Sequence, residues 1–251
     1  MQNKKIIILS LAFIIIISAL GYFYFIKGGK NNFYSKINKN TEITETKTVN
    51  IEDKKITEDI SPFKIDITYP EISGYDNFNN LAKNIIDTEI SEFKTNSLEN
   101  DKAVKETDPE TYAKYPRQYD LIISYDKGQI DNDITSVVFD ISNFEGGAHG
   151  AQYQISLNYN LKDNKKIELA DLFQGQENYI QKISDYCIAD LTKQVLEKVD
   201  STEGLYIQDG AGPVADNFNV FLINKNNITF YFPQYQIAPY VFGGFKVVMP
   251  R

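Results

Sequence analysis

The only histidine of the 251-residue chain, His149, lies in the glycine-rich stretch FEGGAHG at residues 144–150. An imidazole can act as a general base or as a metal ligand, but each role needs partners: an oriented nucleophile, or further His or Cys ligands at suitable spacing. The sequence provides neither pattern and has no G-x-S-x-G motif. We therefore predict that Gly146, Gly147 and Gly150 shape a turn with positive φ, and that His149 is a loop or binding-surface residue.

Because carboxylates are numerous, the sequence leaves open a catalytic pair that would hydrolyse a glycosidic bond. No spacing singles out two of them. The stretch DKGQIDND at residues 126–133 brings three aspartates together but departs from the spacing of a calcium loop, which favours a solvated turn. From the residues alone we predict no catalytic group, no metal site and no cofactor.

An aromatic segment, FPQYQIAPYVFGG at residues 232–244, is the second place that could bind something. Prolines and glycines constrain a stretch that carries Tyr235, Tyr240 and Phe242, and aromatic side chains on constrained loops are typical of binding surfaces. Core packing at a sheet edge would explain the same residues. With His149, these three form our candidate binding set.

Cys187 is the only cysteine, so no intramolecular disulfide can form. It falls on an apolar helical stripe with Ile183 and Leu191, which predicts a buried, unreactive thiol.

The N-terminus carries an uncharged apolar run at residues 6–26, long enough to cross a bilayer as a helix. Because bulky residues continue to its end, we predict an uncleaved signal anchor, with a cleaved signal peptide as the alternative. Residues 1–5 would then be a cytoplasmic tail and the C-terminal domain extracytoplasmic. Residues 27–60 read as a polar stalk, with an edge strand in KTVNIED left open.

The remaining chain predicts an α+β fold: an antiparallel sheet, in one or two sections, with two packed helices. Period-2 alternation marks strands at FKIDITYP and AQYQISLNYNL, where one face would be buried and the other wet. Helices are predicted after Asp76 and over residues 176–199. Further strands follow at residues 119–126 and 135–142, in a hairpin about residues 226–227, and at the C-terminus.

Three stretches carry a family resemblance. GGAHG, then NYNLKDNKKIELADLF, then ITFYFPQYQIAPYVFGGFKVVMP resemble the extracytoplasmic domain of the RsiV family of lysozyme-sensing anti-sigma factors. The part from FKIDITYP through GGAHG is similar to the N-terminal module of PdaC-type peptidoglycan deacetylases. The resemblance implies a PdaC-like module at residues 61–165 and an RsiV-like module at residues 166–251. With MQNKK alone inside the cell and no separate deacetylase domain, we expect neither anti-sigma nor deacetylase activity.

Residues 28–251 keep all 34 acidic residues and 23 of the 26 basic ones, for a net charge of −11. Such a domain repels nucleic acid and favours cationic partners. We therefore predict a membrane-anchored, non-enzymatic binding module, either for a cationic, lysozyme-like protein or for peptidoglycan. The alternative is a cell-wall hydrolase that uses unidentified carboxylates.

Overall fold

A computed structural model of the protein describes residues 49–115 and 117–251. The predicted anchor at residues 6–26 and most of the predicted stalk lie outside these residues. Within the described ranges, no helix combines the length and the apolar character needed to cross a membrane. The strands are β1 (Ile51–Ile60), β2 (Phe63–Ile72), β3 (Tyr119–Ile130), β4 (Ile134–Phe144), β5 (Ala151–Asn160), β6 (Lys165–Lys166), β7 (Phe221–Ile223), β8 (Asn227–Phe232) and β9 (Phe245–Pro250). The α-helices are α1 (Asp76–Thr107), α2 (Pro109–Lys114), α3 (Tyr179–Leu196) and α4 (Ile207–Gly210).

The predicted α+β class is confirmed, but the sheet is not purely antiparallel. Strands β1 to β6 form one sheet in sequence order, in which β2 and β3 run parallel and the other neighbours run antiparallel. Two parallel neighbours need a long crossover connection, and helix α1 supplies it between them. The sheet is therefore mixed. The described residues also hold four α-helices rather than the two predicted, because α2 and α4, with six and four residues, are too short for a periodic signal.

The predicted stalk ends earlier than residue 60. Residues 51–60 form β1, which pairs along its whole length with β2, from Ile51 opposite Ile72 to Ile60 opposite Phe63. The strand contains only a few apolar residues and lies at the edge of the sheet, which explains why its sequence looks like a linker. The edge strand left open for this region is present, and it begins at Ile51, four residues after the first residue of KTVNIED.

A second sheet, β7–β8–β9, covers part of the outer face of the first. Along β8, Phe230 and Phe232 point into a core shared with helix α3, whereas Tyr231 contacts Val138 on β4. Helix α1 packs on the opposite face of the large sheet through another core, around Phe78, Ile86 and other apolar residues. The described residues therefore form four layers: helix, large sheet, small sheet, helix.

This layering corrects the prediction that one face of β5 is wet. Asn158 belongs to the polar face of that strand but is only 4% exposed. Its side chain accepts a hydrogen bond from the Ser136 hydroxyl and donates one to the backbone oxygen of Phe221 on β7. Buried polar atoms must be paired, so these bonds fix the small sheet on the large one. Nearer the start of the strand, Gln152 and Gln154 are not covered in this way.

Candidate binding site

The loop that carries His149 connects β4 to β5 at the end of the large sheet. Gly146 and Gly147 have φ values of 98° and 104°, as predicted. Gly150 is needed for a different reason, because a Cβ atom there would lie 2.5 Å from the backbone oxygen of Asn143. The loop thus holds an exposed imidazole at the sheet end, and its Nδ1 atom lies 2.8 Å from the backbone oxygen of Gly150.

The aromatic segment leads from β8 to β9 over the same end of the molecule. Tyr235 has a φ of 70°, which is uncommon for a residue with a side chain, and its ring is 54% exposed. Pro239 precedes a short 3₁₀ turn at Tyr240–Phe242, and Gly243 ends that turn with a φ of 72°. The segment is therefore held in a defined shape by its backbone.

Three of the four candidate binding residues meet in space. The rings of His149 and Tyr240 are stacked, with centroids 4.1 Å apart and planes 27° from parallel. Tyr235 lies beside them, with its ring centroid 5.9 Å from that of Tyr240 and its hydroxyl 3.4 Å from His149 Nε2. Because Nδ1 donates to a carbonyl, Nε2 of the neutral ring is an acceptor for the Tyr235 hydroxyl. We call His149, Tyr235 and Tyr240 the aromatic face.

Phe242, the fourth candidate, points elsewhere. Its side chain is half-buried and packs against the core of the C-terminal sheet and helix α3. Its neighbour Val241, which sequence reasoning did not single out, is 84% exposed. The tight 3₁₀ turn explains the difference, because successive side chains there point about 120° apart.

A polar pocket adjoins the aromatic face in the cleft between the two sheets. Its volume is about 260 Å³, and the residues that line it are Asp140, Gln152, Gln154, Tyr231, Gln234, Gly244, Phe245 and Lys246. Asp140 Oδ1 accepts bonds from the side-chain amides of Gln154 and Gln152, at 2.9 and 3.3 Å. The Gln234 side-chain oxygen accepts from the backbone N–H of Gln152, at 3.3 Å. This bond joins the loop beside Tyr235 to the strand that follows His149.

Sequence reasoning missed this pocket. The glutamines of β5 were read as a solvated face, which is the usual fate of alternate polar residues on a strand. The available signal was their type, because neutral amides that can both donate and accept recur there where charged residues would serve solubility better.

A carboxylate cluster lies on the other side of the large sheet, where α1 meets β5. Glu89 is only 7% exposed and accepts a hydrogen bond from the Tyr153 hydroxyl. Burial raises the pKa of Glu89, although that hydrogen bond opposes the shift. Burial also raises the pKa of Glu145, whose carboxylate accepts bonds from the side chains of Asn143 and Asn96. These two glutamates are the candidates for the carboxylates that the hydrolase alternative requires.

The remaining chemical candidates have structural roles. Cys187 is fully buried on α3, and burial raises the pKa of its thiol to about 12, as expected for an unreactive side chain. Asp131 closes a turn by accepting the backbone N–H groups of Asp133 and Ile134. Across residues 49–115 and 117–251, no group of three or more His, Cys, Asp or Glu side chains is arranged to hold a metal ion.

Fold and site together define an α+β module of two stacked sheets with an exposed aromatic face at one end. Comparison with known families divides it along the chain. Residues 56–152 match the family described as deacetylase PdaC, and residues 170–251 match the family described as a protein of unknown function, DUF3298. The chain therefore carries a PdaC segment followed by a DUF3298 segment. The predicted order, a PdaC-like module before a domain of unknown function, is confirmed.

Individual relatives agree with this division. The chain is 22% identical over 228 residues to the peptidoglycan-N-acetylmuramic acid deacetylase PdaC of Bacillus subtilis strain 168, covering 91% of this chain but only 45% of that protein. Two solved structures share the fold: a DUF3298 family member from Bacteroides fragilis NCTC 9343 (TM-score 0.55, 20% identity) and one from Pseudomonas aeruginosa PAO1 (TM-score 0.53, 13% identity). Both alignments cover 82% of this chain, and 91% and 92% of the respective neighbours.

Proposed function

We propose that this protein is an extracytoplasmic, non-enzymatic binding module that faces the cell wall and holds its ligand on the aromatic face. The stacked rings of His149 and Tyr240 carry the proposal, since they come from two distant parts of the chain and remain at the surface, with His149 exposed and Tyr240 half-buried. Exposed aromatic groups held by constrained backbone recur at binding surfaces, because the rings lose little conformational freedom when a ligand covers them. The similarity to a peptidoglycan deacetylase supports a ligand in the wall.

The location is part of the proposal. An apolar helix at residues 6–26 would anchor the chain with its N-terminus in the cytoplasm, and the described domain would stand outside. Protease added to intact cells from which the wall has been removed is expected to degrade the domain. A protected domain, or one released into the medium with a processed N-terminus, would contradict the anchor.

Peptidoglycan is the first ligand to test. Full-length protein in mild detergent is expected to sediment with purified, protein-free peptidoglycan, and the variant Tyr240→Ala is expected to sediment less. Tyr115→Ala is the control, because Tyr115 is also a surface tyrosine, at 59% more exposed than the half-buried Tyr240, and lies outside the aromatic face. If the Tyr240 and Tyr115 variants sediment equally well, the aromatic face is not the binding site.

A cationic, lysozyme-like protein is the second ligand. The net charge of −11 on residues 28–251 favours this partner, as does the resemblance to a lysozyme-sensing family. Surface plasmon resonance over immobilised lysozyme tests it with the same two tyrosine variants. Binding to lysozyme but not to peptidoglycan, with loss in Tyr240→Ala, would assign the aromatic face to a protein partner.

The hydrolase alternative gains one specific observation, the raised pKa values of Glu89 and Glu145. Paired carboxylates with unequal environments are what acid–base hydrolysis needs. Against it, Glu89 is almost fully buried and its carboxylate is occupied by Tyr153. We expect no release of soluble fragments from peptidoglycan by the wild-type protein; release that Glu89→Gln and Glu145→Gln both abolish would favour the enzyme.

A further inference from the structure

The polar pocket between the sheets adjoins the aromatic face but is not part of it. It begins where the small sheet stops covering the large one. Val138 of β4 is buried against Leu222 and Tyr231, whereas Asp140, two residues along the same face, opens into the pocket. Its floor is apolar, formed by Tyr231 and Phe245, which are each 4% exposed.

Hydrogen-bonding groups in the pocket remain available. Asp140 uses Oδ1 for both glutamine contacts, and its Oδ2 atom has no protein partner among the described residues. Within the same part of the chain, the side-chain oxygens of Gln152 and Gln154 and the side-chain nitrogen of Gln234 are likewise unpaired. The pocket therefore offers acceptors and a donor at once, each held in place by the bond that its other atom makes.

Two side chains of opposite charge, Asp140 and Lys246, line the pocket, and a third, Asp126, lies next to Lys246. Lys246 adds a positive charge, but its Nζ atom is 3.0 Å from Asp126 Oδ2 and 4.6 Å from the centre of the Tyr231 ring. Tyr231 donates its hydroxyl to the same carboxylate oxygen of Asp126. Asp140 would repel an anion, and the nearby ammonium group would repel a cation. An uncharged ligand with both donors and acceptors fits these groups best.

The size and position indicate a ring-sized ligand. At about 260 Å³ the pocket lies just below the range of roughly 300–1,000 Å³ in which drug-sized molecules bind. Gln234 lies in the pocket next to Tyr235, and its bond to Gln152 links it to the loop of His149. A ligand that occupies the pocket can therefore continue onto the aromatic rings.

We propose that this pocket binds one N-acetylated sugar ring of a glycan chain, and that a neighbouring ring lies on the aromatic face. An acetamido group presents a fixed N–H donor and a carbonyl acceptor, which match the free Asp140 oxygen and the free Gln234 amide. A pyranose ring has an apolar C–H face, which matches the ring of Tyr240. This inference rests on the proposed function and names the ligand class of the same site.

The test uses tetra-N-acetylchitotetraose, an uncharged chain of N-acetylated sugars, as the probe. Isothermal titration of the full-length protein is expected to show binding that Asp140→Asn weakens by about tenfold, the effect of losing one good hydrogen bond. Gln154→Ala is expected to weaken binding to a similar degree, because it removes the amide that holds Asp140 in place. Gln181→Ala is the matched control, because Gln181 also donates to an aspartate, Asp185, but on the surface of α3. Cellotetraose, which lacks acetamido groups, is expected to bind at least about tenfold more weakly.

Thermal melts of each variant check that it is folded, and Gln154→Ala carries the test if Asp140→Asn is not. Absence of chitotetraose binding at millimolar concentration overturns this inference, as does binding that neither variant weakens or binding that cellotetraose matches. The two proposals fail separately. If peptidoglycan binding depends on Tyr240 but not on Asp140, the aromatic face remains as the site and the sugar pocket is ruled out. If chitotetraose binding depends on Asp140 but not on Tyr240, the pocket remains and the aromatic face is ruled out.

Discussion

His149 stacks on Tyr240 with ring centroids 4.1 Å apart, although one residue belongs to the hairpin loop of the large sheet and the other to the connection within the small sheet. The contact therefore joins the PdaC and DUF3298 segments of the chain. A stacked aromatic pair contributes roughly 0.5–1.5 kcal/mol beyond the area it buries, so this pair helps to hold the two loops together. Because both rings stay partly exposed, the same contact also presents a surface.

The backbone of the His149 loop is expected to matter more for stability than the imidazole. Gly147 has a φ of 104° and open space around its Cα atom, so Gly147→Val introduces backbone strain without a steric clash, at a cost of about 1–3 kcal/mol. His149→Ala removes one exposed ring contact and is expected to cost about 1 kcal/mol or less. Thermal melts compare the two variants. A larger loss in His149→Ala would mean that the ring, rather than the turn, organises this loop.

The elements with a strong period were predictable, and the arrangement of the layers was not. The sequence shows clear alternation in β2 and β5 and a clear apolar stripe in α1, because each of these elements packs one face against a core. The parallel pairing of β2 with β3 depends on where the chain returns after α1, which local periodicity does not encode. The burial of Asn158 depends on a sheet that lies about 60 residues later in the chain, as its bond to Phe221 shows.

Strand β1 is expected to contribute to the stability of the fold. Its Ile56 packs against the core under α1, and Glu58 accepts an ion pair from Lys94 of that helix, with Nζ and Oε2 2.7 Å apart. A fragment of residues 61–251 loses both contacts and exposes the edge of β2, so we expect it to melt at a lower temperature than a fragment of residues 47–251. Each 1 kcal/mol lost lowers the melting temperature by about 2–4 °C at this chain length. Equal melting temperatures would show that β1 is dispensable.

The buried Glu89 predicts a specific pH dependence. Because burial raises its pKa in the folded state, folding is most favourable when Glu89 is protonated, and stability is lost as pH rises from its ordinary pKa of 4.5 through the raised value. Tyr153→Phe removes the hydroxyl that stabilises the carboxylate, so it is expected to cost about 1.5–3 kcal/mol near neutral pH and less below the ordinary pKa. Denaturant titrations in both pH ranges measure the difference.

Tyr125→Phe is the control for this titration. Tyr125 also donates to a carboxylate, Asp53, but that carboxylate is exposed and its pKa is lowered, chiefly by this hydrogen bond. Its loss is expected to be smaller near neutral pH, because water can replace the donor at an exposed site. A Tyr153 variant no more sensitive to pH than the Tyr125 variant would show that Glu89 is not held as a buried carboxylate.

The Cys187 thiol is expected to be unreactive toward thiol reagents in the native protein. With its thiol fully buried and its pKa raised to about 12, almost no thiolate is present near neutral pH. Reaction with a disulfide reagent such as Ellman's should therefore be very slow until guanidinium unfolds the chain, after which one thiol should react rapidly. Native reactivity close to that of free cysteine would mean that α3 opens readily or packs differently.

Only half of the candidate binding site was predictable from the sequence. The aromatic segment and the glycine loop were identified from residue types, and their convergence on Tyr240 follows from the small sheet lying on the large one. Phe242 does not join the aromatic face, because one residue of rotation in the 3₁₀ turn separates the exposed Val241 from the half-buried Phe242, which packs against the core. The polar pocket requires two strands from different sheets, Asp140 on one side and Lys246 on the other, so no single stretch of sequence contains it.

Ionic strength should separate the two classes of ligand. An uncharged sugar chain gains little from long-range attraction, so the affinity for chitotetraose should be almost constant between low and physiological salt, as the Debye length shortens from about 30 Å to about 8 Å. A cationic protein would instead be steered by the net charge of −11, and its association rate should fall over the same range while dissociation changes less. Surface plasmon resonance with both ligands over the full-length protein measures these rates. If chitotetraose binding weakens markedly with salt, a charged group such as Lys246 or Asp140 carries more of the recognition than a neutral sugar ring would require.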